Sequence, residues 1–221
     1  MSNVNSGLIL WGRSTSSNVQ KVMWLCTEIG VDYERIDIGA HFVSPIGTNK
    51  EAAYLAINPN GGVPSLQDGH LTMWESNAIC RYIAAKYRAE SIFPGDLKHR
   101  AIVDQWTDWA STVFAPAITP VFWGLIRTPA EQRDANAIRA HAEKTAAALT
   151  ILNNQLKERD FICGDNLTIA DLVMGSNIWR WYNLPIESVG YSRSPLPSLD
   201  AYFARLKTRP AYQQVVMIDL V

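Results

Sequence analysis

Residues 8–38, LILWGRSTSSNVQKVMWLCTEIGVDYERIDI, decide the fold of the first part of the chain. The apolar run at 8–11 predicts a short buried strand, and the polar residues after it supply a turn and a helix start. Apolar side chains then recur with helical spacing over 19–26, and Gly30 ends the helix. Alternation of apolar and polar residues resumes at 33–38, after a connection long enough for a βαβ crossover. The segment therefore predicts two parallel strands joined by a helix.

The pattern continues outward to about residue 88. A short helical piece is expected at Glu51 to Ala56, and VPSLQDGHLTMW (63–74) predicts two strands that meet at a turn formed by Asp68 and Gly69. From residue 76 to 87 the apolar residues return to helical spacing. The predicted order of elements is β-α-β-α-β-β-α.

A polar joint, AESIFPGD at 89–96, separates this part from a second one in which strand patterns almost vanish. We predict two domains, an α/β domain over residues 1–88 and an all-helical domain over residues 95–221. The expected helices of the second domain are 97–123, 129–159, 168–182 and 197–208, with a last turn at 211–216. Pro116 and Pro120 should kink or divide the first of them. Thr128 is the expected cap of the second, and Thr168 and Asp171 form a capping box at the start of the third.

The composition excludes several classes of protein. With 221 residues, 48% of them hydrophobic and 19% charged, the chain can bury a sizeable core and is not mainly disordered. The formal charge of -1 gives no broad attraction to phosphate backbones or anionic lipid, so neither nucleic acid nor a membrane is an expected partner. We expect charges to interrupt the apolar stretches before they reach the length of a bilayer span, and the first residues do not have the pattern of a targeting signal. These features favour a cytoplasmic protein.

The three cysteines, Cys26, Cys80 and Cys163, are scattered within apolar patterns. None stands in a C-x-x-C pair, and their spacing is not that of a metal site. We therefore expect reduced core residues and no metal ion.

Three groups of residues in the first domain could carry chemistry. STSSN (14–18) lies between the first strand and the first helix, where hydroxyl and amide groups ordinarily cap the free N–H groups of a helix. The same positive helix end also stabilises an anion such as a thiolate, and a hydroxyl there can donate a hydrogen bond to sulfur.

The other two groups adjoin predicted strands. NPNGGVPSL (58–66) is first of all a loop, but a cis peptide between Val63 and Pro64 would turn the Val63 backbone toward an extended peptide ligand. WESN (74–77) supplies a helix cap at Ser76. It could also bind an amino-acid end, with Ser76 on the carboxylate and Glu75 on the ammonium group.

The order and spacing of SSNVQKV, NPNGGVPSL, WESNAICRYIA and GDNLTIADL resemble those of cytosolic glutathione transferases over essentially the whole chain. The resemblance is to serine-type, bacterial-like members, and it implies a thioredoxin-like N-terminal domain, an all-helical C-terminal domain and a homodimer. It also implies an enzyme that ionises the thiol of glutathione, a co-substrate used without a further cofactor, for attack on a small hydrophobic electrophile held between the domains. A role in detoxification follows from this activity.

The resemblance assigns roles to individual residues of the first domain. Ser16 is the expected catalytic donor to the sulfur, with Ser14, Thr15 and Ser17 as alternatives, and Asn18 is the expected second donor. Val63 and Pro64 are expected to pair with the cysteinyl backbone of glutathione, and Glu75 and Ser76 to hold its γ-glutamyl end.

Other assignments stay open. We expect Lys50 or His41 to bind the glycine carboxylate of glutathione. Asp104 could reach the γ-glutamyl ammonium from the other subunit or make a contact within its own helix. A tryptophan at helical spacing is often an ordinary core residue, but aromatic side chains could also wall the electrophile pocket. The candidate walls are Arg13, Trp109, Phe114, Trp123 and Trp179.

Two alternative functions use the same tripeptide site. A glutathione-dependent disulfide or peroxide reductase is one of them, although no cysteine at 14–17 is present to form a mixed disulfide. A reductase that uses two glutathione molecules needs no such cysteine. A non-catalytic, glutathione-binding regulatory protein is the other alternative, since a fold does not fix a function.

Overall fold

The computed structural model describes residues 7–39 and 44–221. The chain divides into two compact units, one ending at Glu90 and the other beginning at Ser91. The first unit combines a sheet with helices, and the regular elements of the second are helical. This is the predicted combination of an α/β domain and an all-helical domain.

The sheet of the first unit has four strands within the described residues: β1 (Leu8–Trp11), β2 (Glu34–Ile36), β3 (Ser65–Asp68) and β4 (Leu71–Trp74). Their order is β2-β1-β3-β4. β1 pairs parallel with β2, whereas β1 with β3 and β3 with β4 pair antiparallel. The predicted parallel pair and the predicted hairpin are therefore confirmed.

Three helices complete the described part of the first unit: α1 (Ser17–Ile29), α2 (Ala52–Leu55) and α3 (Ser76–Lys86). Gly30 ends α1 with a left-handed backbone, φ 67° and ψ 34°, as its sequence position predicts. α1 and α3 pack against each other. This packing brings the amino-terminal turns of the two helices, each of which follows a strand, into the same part of the molecule.

One apolar cluster of the first unit lies beneath the loop at 58–65. Its centre consists of the buried side chains Trp11, Ile38 and Tyr54. Tyr54 contributes both apolar area and a hydroxyl to this cluster, because its hydroxyl donates to Gly62 O at 2.7 Å. The loop is thereby tied to the core.

The second unit contains helices α4 (Leu97–Trp109), α5 (Ala115–Phe122), α6 (Ala135–Gln155), α7 (Ile169–Asn183), α8 (Pro197–Lys207) and α9 (Pro210–Val215). α7 is central, since every residue from Ile169 to Ile178 is buried. It packs against α4, α5 and α8. The core of the unit therefore forms around this helix.

The path from α4 to α5 shows how the prolines act. π-helical segments lie at Ala110–Phe114 and Trp123–Arg127, on either side of α5, and Pro120 lies inside α5. A proline cannot donate to the helical ladder, and a wider π turn is a common way to absorb the interruption. The helical path thus runs to Arg127, farther than the predicted end at Trp123.

The same path corrects the expectation that charges interrupt every apolar stretch. Residues 109–126 contain no charged side chain, and Leu97–Arg127 is long and apolar enough to cross a membrane by length and composition alone. Its residues Phe114, Ile118 and Val121 are fully buried inside the second unit. A core helix of a globular unit passes the same test, and these three residues pack inside the second unit.

The predicted start of the next helix is wrong. Residues 130–132 form a short 3-10 turn, and α6 begins only at Ala135. Asp134 is the cap, because its carboxylate accepts from the backbone N–H groups of Asn136 and Ala137, both at 3.0 Å. Two hydrogen bonds to an ionised cap stabilise this start more than Thr128 followed by a proline would.

The predicted capping box at the start of α7 is confirmed. Asp171 Oδ2 accepts from Thr168 N at 2.7 Å and from Thr168 Oγ1 at 3.0 Å. Its other oxygen accepts from Ile162 N at 3.0 Å and from the Tyr202 hydroxyl at 2.9 Å. Burial raises the pKa of Asp171, and these hydrogen bonds oppose the rise. Thr168 and Asp171 therefore have a structural role at the start of α7.

The cysteines differ in exposure. All three are free thiols, and Cys26 and Cys80 are buried, as predicted, but Cys163 is partly exposed. Burial raises the pKa of each thiol to about 12. None is therefore an activated nucleophile in this structure.

Candidate functional site

A cavity of about 170 Å³ lies in the first unit, at the ends of the strands where α1 and α3 begin. Side chains and backbone from three separate loops meet there. The residues that line it are Asn18, Asn58, Asn60, Gly62, Val63, Pro64, Glu75 and Ser76. Five of them are predicted site residues from all three of the groups identified in the sequence.

A larger concavity of about 490 Å³ lies in the second unit. It contains none of the predicted site residues, and its charged lining mixes cations with anions, among them Arg205 and Asp160, which form an ion pair at 2.7 Å. The chemistry that the sequence predicts is therefore associated with the smaller cavity.

The start of α1 places Ser16 at the N-cap position. Its backbone is extended, φ -80° and ψ 122°, and its carbonyl accepts from Gln20 N at 2.9 Å. The side chain makes no capping hydrogen bond. Ser16 is only 8% exposed and does not line the cavity, whereas Asn18, two residues later, is exposed and does. The hydroxyl is thus not used in the way that a capping serine ordinarily is.

Gly12 allows the start of α1 and the proline loop to approach each other. Its φ is +149°, which favours glycine, and a Cβ there would stand 2.4 Å from Val19 Cγ2 and 3.3 Å from Val63 Cβ. Any other residue would push these two elements apart. Sequence reasoning identified Gly12 only as part of a turn.

The loop that carries Val63 and Pro64 is held by side chains on three sides. The Val63–Pro64 peptide bond is cis. Gly62 O accepts from the Tyr54 hydroxyl at 2.7 Å and from Asn58 Nδ2 at 3.0 Å. The Tyr54 hydroxyl also lies 2.9 Å from Ser65 Oγ. Burial raises the pKa of Tyr54, so the hydroxyl stays protonated as a donor.

Asn58 organises the same loop from within. Its Oδ1 accepts from Asn60 N at 3.0 Å and from Asn60 Nδ2 at 3.3 Å. Asn49 adds a further support, because its Nδ2 donates to Gly61 O at 2.6 Å. The loop is therefore held by side-chain hydrogen bonds where it lines the cavity. Asn58 and Asn60 stand in the quoted loop sequence, but turn asparagines are so common that no role was assigned to them.

The start of α3 carries a strained residue. Glu75 has φ 74° and ψ 108°, a conformation that a residue with a side chain rarely adopts, and its carboxylate-bearing side chain is exposed. Such conformations cost about 1–3 kcal/mol and occur often at binding sites. Ser76 follows as the first residue of α3 and is 7% exposed. Both line the cavity.

A buried lysine lies behind Ser76. Lys21 of α1 is 5% exposed, and its Nζ donates to Ser76 Oγ at 3.4 Å and to Asn77 Oδ1 at 3.3 Å. No role for Lys21 was predicted, because a lysine on a helix is usually a solvated residue. Its separation of 55 positions from Ser76 leaves no local pattern that would have revealed the pair.

Of the two residues predicted for the glycine carboxylate, one is described. Lys50 is exposed, and its Nζ lies 3.9 Å from the place that a Cβ on Gly61 would take, which puts the ammonium group beside the cavity loop. His41 lies outside the described residues. Asp104 lies on α4 in the second unit and is half-buried.

The aromatic residues predicted as pocket walls differ in accessibility. Trp109 is half-buried and stacks on Phe114 with ring centroids 6.2 Å apart, whereas Phe114 itself has no exposed surface. Phe114 therefore supports Trp109 from the core and presents no face of its own. Trp123 is 58% exposed, and Arg13 is half-buried. Trp179 donates from Nε1 to Ile218 O at 3.0 Å and packs near Phe203.

Within residues 7–39 and 44–221, no group of three or more histidine, cysteine, aspartate or glutamate side chains could hold a metal ion. The cavity itself offers amide groups, a hydroxyl, a carboxylate and backbone groups. Such a set suits a polar ligand that carries both an ammonium and a carboxylate group.

Comparison with protein families gives two matches. The model described as "Glutathione S-transferase, N-terminal domain" matches residues 6–85, and the model described as "Glutathione S-transferase, C-terminal domain" matches residues 114–210. Glutathione S-transferase GstB of Escherichia coli strain K12 is 37% identical over 215 residues, which cover 96% of this chain and 99% of that protein.

Solved structures agree with these matches. The theta class glutathione S-transferase from Xanthomonas axonopodis pv. citri, with glutathione bound, superposes with a TM-score of 0.90 at 41% identity and covers 98% of this chain and 100% of its own. Glutathione S-transferase I from maize, in complex with an atrazine glutathione conjugate, superposes with a TM-score of 0.81 at 29% identity, covering 95% and 96% of the two chains.

Proposed function

Because the chain belongs to the glutathione S-transferase family, we propose that it binds glutathione in the 170 Å³ cavity and ionises its thiol for attack on an electrophile. The observation that carries the proposal is the meeting of three loops, distant in sequence, around one cavity. Glutathione is a co-substrate in this reaction, and no further cofactor takes part.

Each part of glutathione has a proposed partner in or beside the cavity. The backbone of Val63, before strand β3, pairs with the cysteinyl residue of the extended tripeptide, and Pro64 fixes that position. The Glu75 carboxylate binds the γ-glutamyl ammonium, and Ser76 with the first N–H groups of α3 binds the γ-glutamyl carboxylate. Lys50 is the partner of the glycine carboxylate among the described candidates. The glutathione bound to the Xanthomonas relative supports this use of the site.

Ionisation of the thiol is the step that the start of α1 catalyses. An unperturbed thiol has a pKa of about 8.5, so only a few per cent is thiolate near neutral pH. The proposed donors to the sulfur are Asn18, which lines the cavity, and the hydroxyl of Ser16, which lies two residues earlier in the chain and makes no capping hydrogen bond. A shift of about two pKa units requires about 2.7 kcal/mol, which one charge-assisted hydrogen bond and a helix terminus can supply.

The second substrate is a small hydrophobic electrophile. The thiolate attacks an electrophilic carbon of this substrate, so that a carbon–sulfur bond forms and the bond to the leaving group breaks, with halide departing as the anion in the case of an aryl halide. Positioning of the two reactants supplies much of the acceleration. Arg13, half-buried in the segment before α1, is the proposed contact of this substrate within the first unit. The atrazine glutathione conjugate bound to the maize relative is a product of the same chemical kind.

A homodimer belongs to the proposal. β4 is an edge strand whose Leu71 and Trp74 are 41% and 38% exposed, and a second copy would cover this edge. Asp104 of that second copy is the proposed further contact of the γ-glutamyl ammonium. Light scattering measures the mass in solution, and cell fractionation tests the cytoplasmic location expected of a detoxifying enzyme.

Calorimetric titration with glutathione, together with the ultraviolet absorbance of its thiolate, tests the proposal. We expect binding, thiolate absorbance near neutral pH, and conjugation of an activated aryl halide. Glu75→Gln should weaken glutathione binding, while Glu90→Gln, at an exposed glutamate outside the cavity, should not. Turnover of disulfides or peroxides without conjugation would indicate a reductase, and binding without any turnover a regulatory protein.

A further inference from the structure

Lys21 is almost fully buried between α1 and α3, which is unusual for a lysine. Its Nζ lies 3.4 Å from Ser76 Oγ and 3.3 Å from Asn77 Oδ1, the side chains of the first two residues of α3. Burying an ammonium group is costly unless it is hydrogen-bonded. The contacts with Ser76 and Asn77 therefore hold the group at the back of the cavity.

The contact with Ser76 has a fixed direction. An ammonium group has only donors, so Lys21 donates and Ser76 Oγ accepts. The hydroxyl hydrogen of Ser76 must then point away from Lys21, and Ser76 lines the cavity. A serine that is held in this way presents a donor to an acceptor on the ligand. The positive charge behind it strengthens that donor and attracts an anionic ligand group.

We propose that Lys21 is a positioning residue, which orients the Ser76 hydroxyl toward the γ-glutamyl carboxylate of glutathione and makes the site selective for that carboxylate. The inference rests on the proposed function, because it takes glutathione as the ligand. Lys21 touches Ser76 and not the ligand, and it takes no part in ionising the thiol. Its effect is confined to the end of the tripeptide that Ser76 holds.

Two ligands separate this role from a merely structural one. The first is glutathione, and the second is γ-aminobutyryl-cysteinyl-glycine, which keeps the ammonium group but lacks the γ-glutamyl carboxylate. The dissociation constant of this analogue divided by that of glutathione measures the selectivity for that carboxylate, and it is called the ratio below. A loss of packing weakens both ligands alike and leaves the ratio unchanged.

Lys21→Met keeps an unbranched side chain that is one atom shorter, and it removes the donors and the charge. We expect the ratio to fall about 10-fold, the usual effect of a hydrogen bond to a charged group, with KM for glutathione raised and kcat at saturating glutathione changed by less than about 2-fold. Lys144→Met, at an exposed lysine of α6, is the matched control and should leave the ratio unchanged. Equal weakening of both ligands by Lys21→Met would overturn the inference.

A double-mutant cycle tests the path through Ser76. Ser76→Ala should lower the ratio by itself, and Lys21→Met added to Ser76→Ala should lower it no further. A second, additive fall would show that Lys21 acts by another route and would also overturn the inference. If the wild-type protein binds neither ligand, the proposed function fails instead, so the two failures are distinguishable.

A second variant covers the case in which Lys21→Met does not fold. Lys21→Gln removes the charge and keeps an amide NH2 group as a donor, at a smaller cost to the buried site. We expect its ratio to fall about 3-fold, between those of the wild type and Lys21→Met. An unchanged ratio in folded Lys21→Gln protein, measured with circular dichroism as the check on folding, would contradict the proposal.

Discussion

The starts of α1 and α7 place a hydroxyl residue at the same position, before the first helical turn, but surround it with different partners. At α7, Thr168 and Asp171 complete a capping box, and the Asp171 carboxylate also accepts from Ile162 N and the Tyr202 hydroxyl. At α1, the Ser16 hydroxyl makes no capping hydrogen bond. The start of α7 is closed by the protein's own hydrogen bonds, whereas the cap hydroxyl of α1 takes no part in capping.

Under the proposed function, one residue type serves stability at the start of α7 and chemistry at the start of α1. A hydroxyl that caps its own helix lowers the free energy of the folded state. A hydroxyl that is not used for capping remains a donor at the positive end of the helix, where an anion is stabilised. Substitutions at the two starts should therefore affect different properties.

Asp171→Ala should have the largest effect. It leaves the Thr168 and Ile162 N–H groups and the Tyr202 hydroxyl without their acceptor in a fully buried place, and we expect unfolding free energy to fall by about 3–5 kcal/mol. Urea denaturation measures this loss. Asp134→Ala, at the exposed cap of α6, is the matched control and should cost about 1 kcal/mol. Equal losses would mean that the closed network at α7 adds nothing to capping.

Ser16→Ala should reduce catalytic activity and leave stability almost unchanged. We expect kcat/KM for conjugation to fall about 100-fold, because the donor to the thiolate is lost, while the unfolding free energy changes by no more than about 0.5 kcal/mol. Steady-state kinetics and urea denaturation provide the two values. Ser14→Ala is the control. If Ser14→Ala reduces turnover and Ser16→Ala does not, Ser14 is the donor.

Gly12→Ala tests the surroundings of the open helix start. The new Cβ would meet Val19 and approach Val63, so we expect a loss of about 1–3 kcal/mol in unfolding free energy and weaker glutathione binding. Adding Val19→Ala makes room for the methyl group and should restore part of the stability and part of the glutathione binding. Urea denaturation measures the stability, and calorimetric titration measures the binding. A loss of stability with unchanged binding would separate Gly12 from the site.

Thr168→Ala should have the smallest effect of the four. It removes one hydroxyl from the closed helix start and should cost about 1 kcal/mol in unfolding free energy. The kcat/KM of the folded protein should stay unchanged, in contrast to Ser16→Ala. A fall in kcat/KM at full folding would show that the two helix starts are not functionally separate.

The sequence predicted the elements of both units well, because they follow from apolar periodicity. The boundary at α6 failed because Pro129 has a favourable position for a helix start, and only the hydrogen bonds of Asp134 decide against it. Periodicity shows where a helix lies more reliably than where it begins.

The site was predictable in part. Asn18, Val63, Pro64, Glu75 and Ser76 follow from three motifs and line one cavity. Tyr54 and Lys21 were missed, since their hydrogen bonds to Gly62 and Ser76 depend on tertiary packing that no local pattern records. Candidate ligand-binding residues can be recognised from motifs in the loops. Residues that support them cannot be told from ordinary core or surface residues by sequence alone.

The unusual backbone of Glu75 has a consequence for protein engineering. Glycine adopts a positive φ without strain, so Glu75→Gly is a substitution that selection for heat resistance should favour. It would also delete the carboxylate that we propose for recognition of the γ-glutamyl ammonium. At this residue an improved melting temperature and a useful enzyme are opposing goals, and a thermostable variant should be sought elsewhere in the chain.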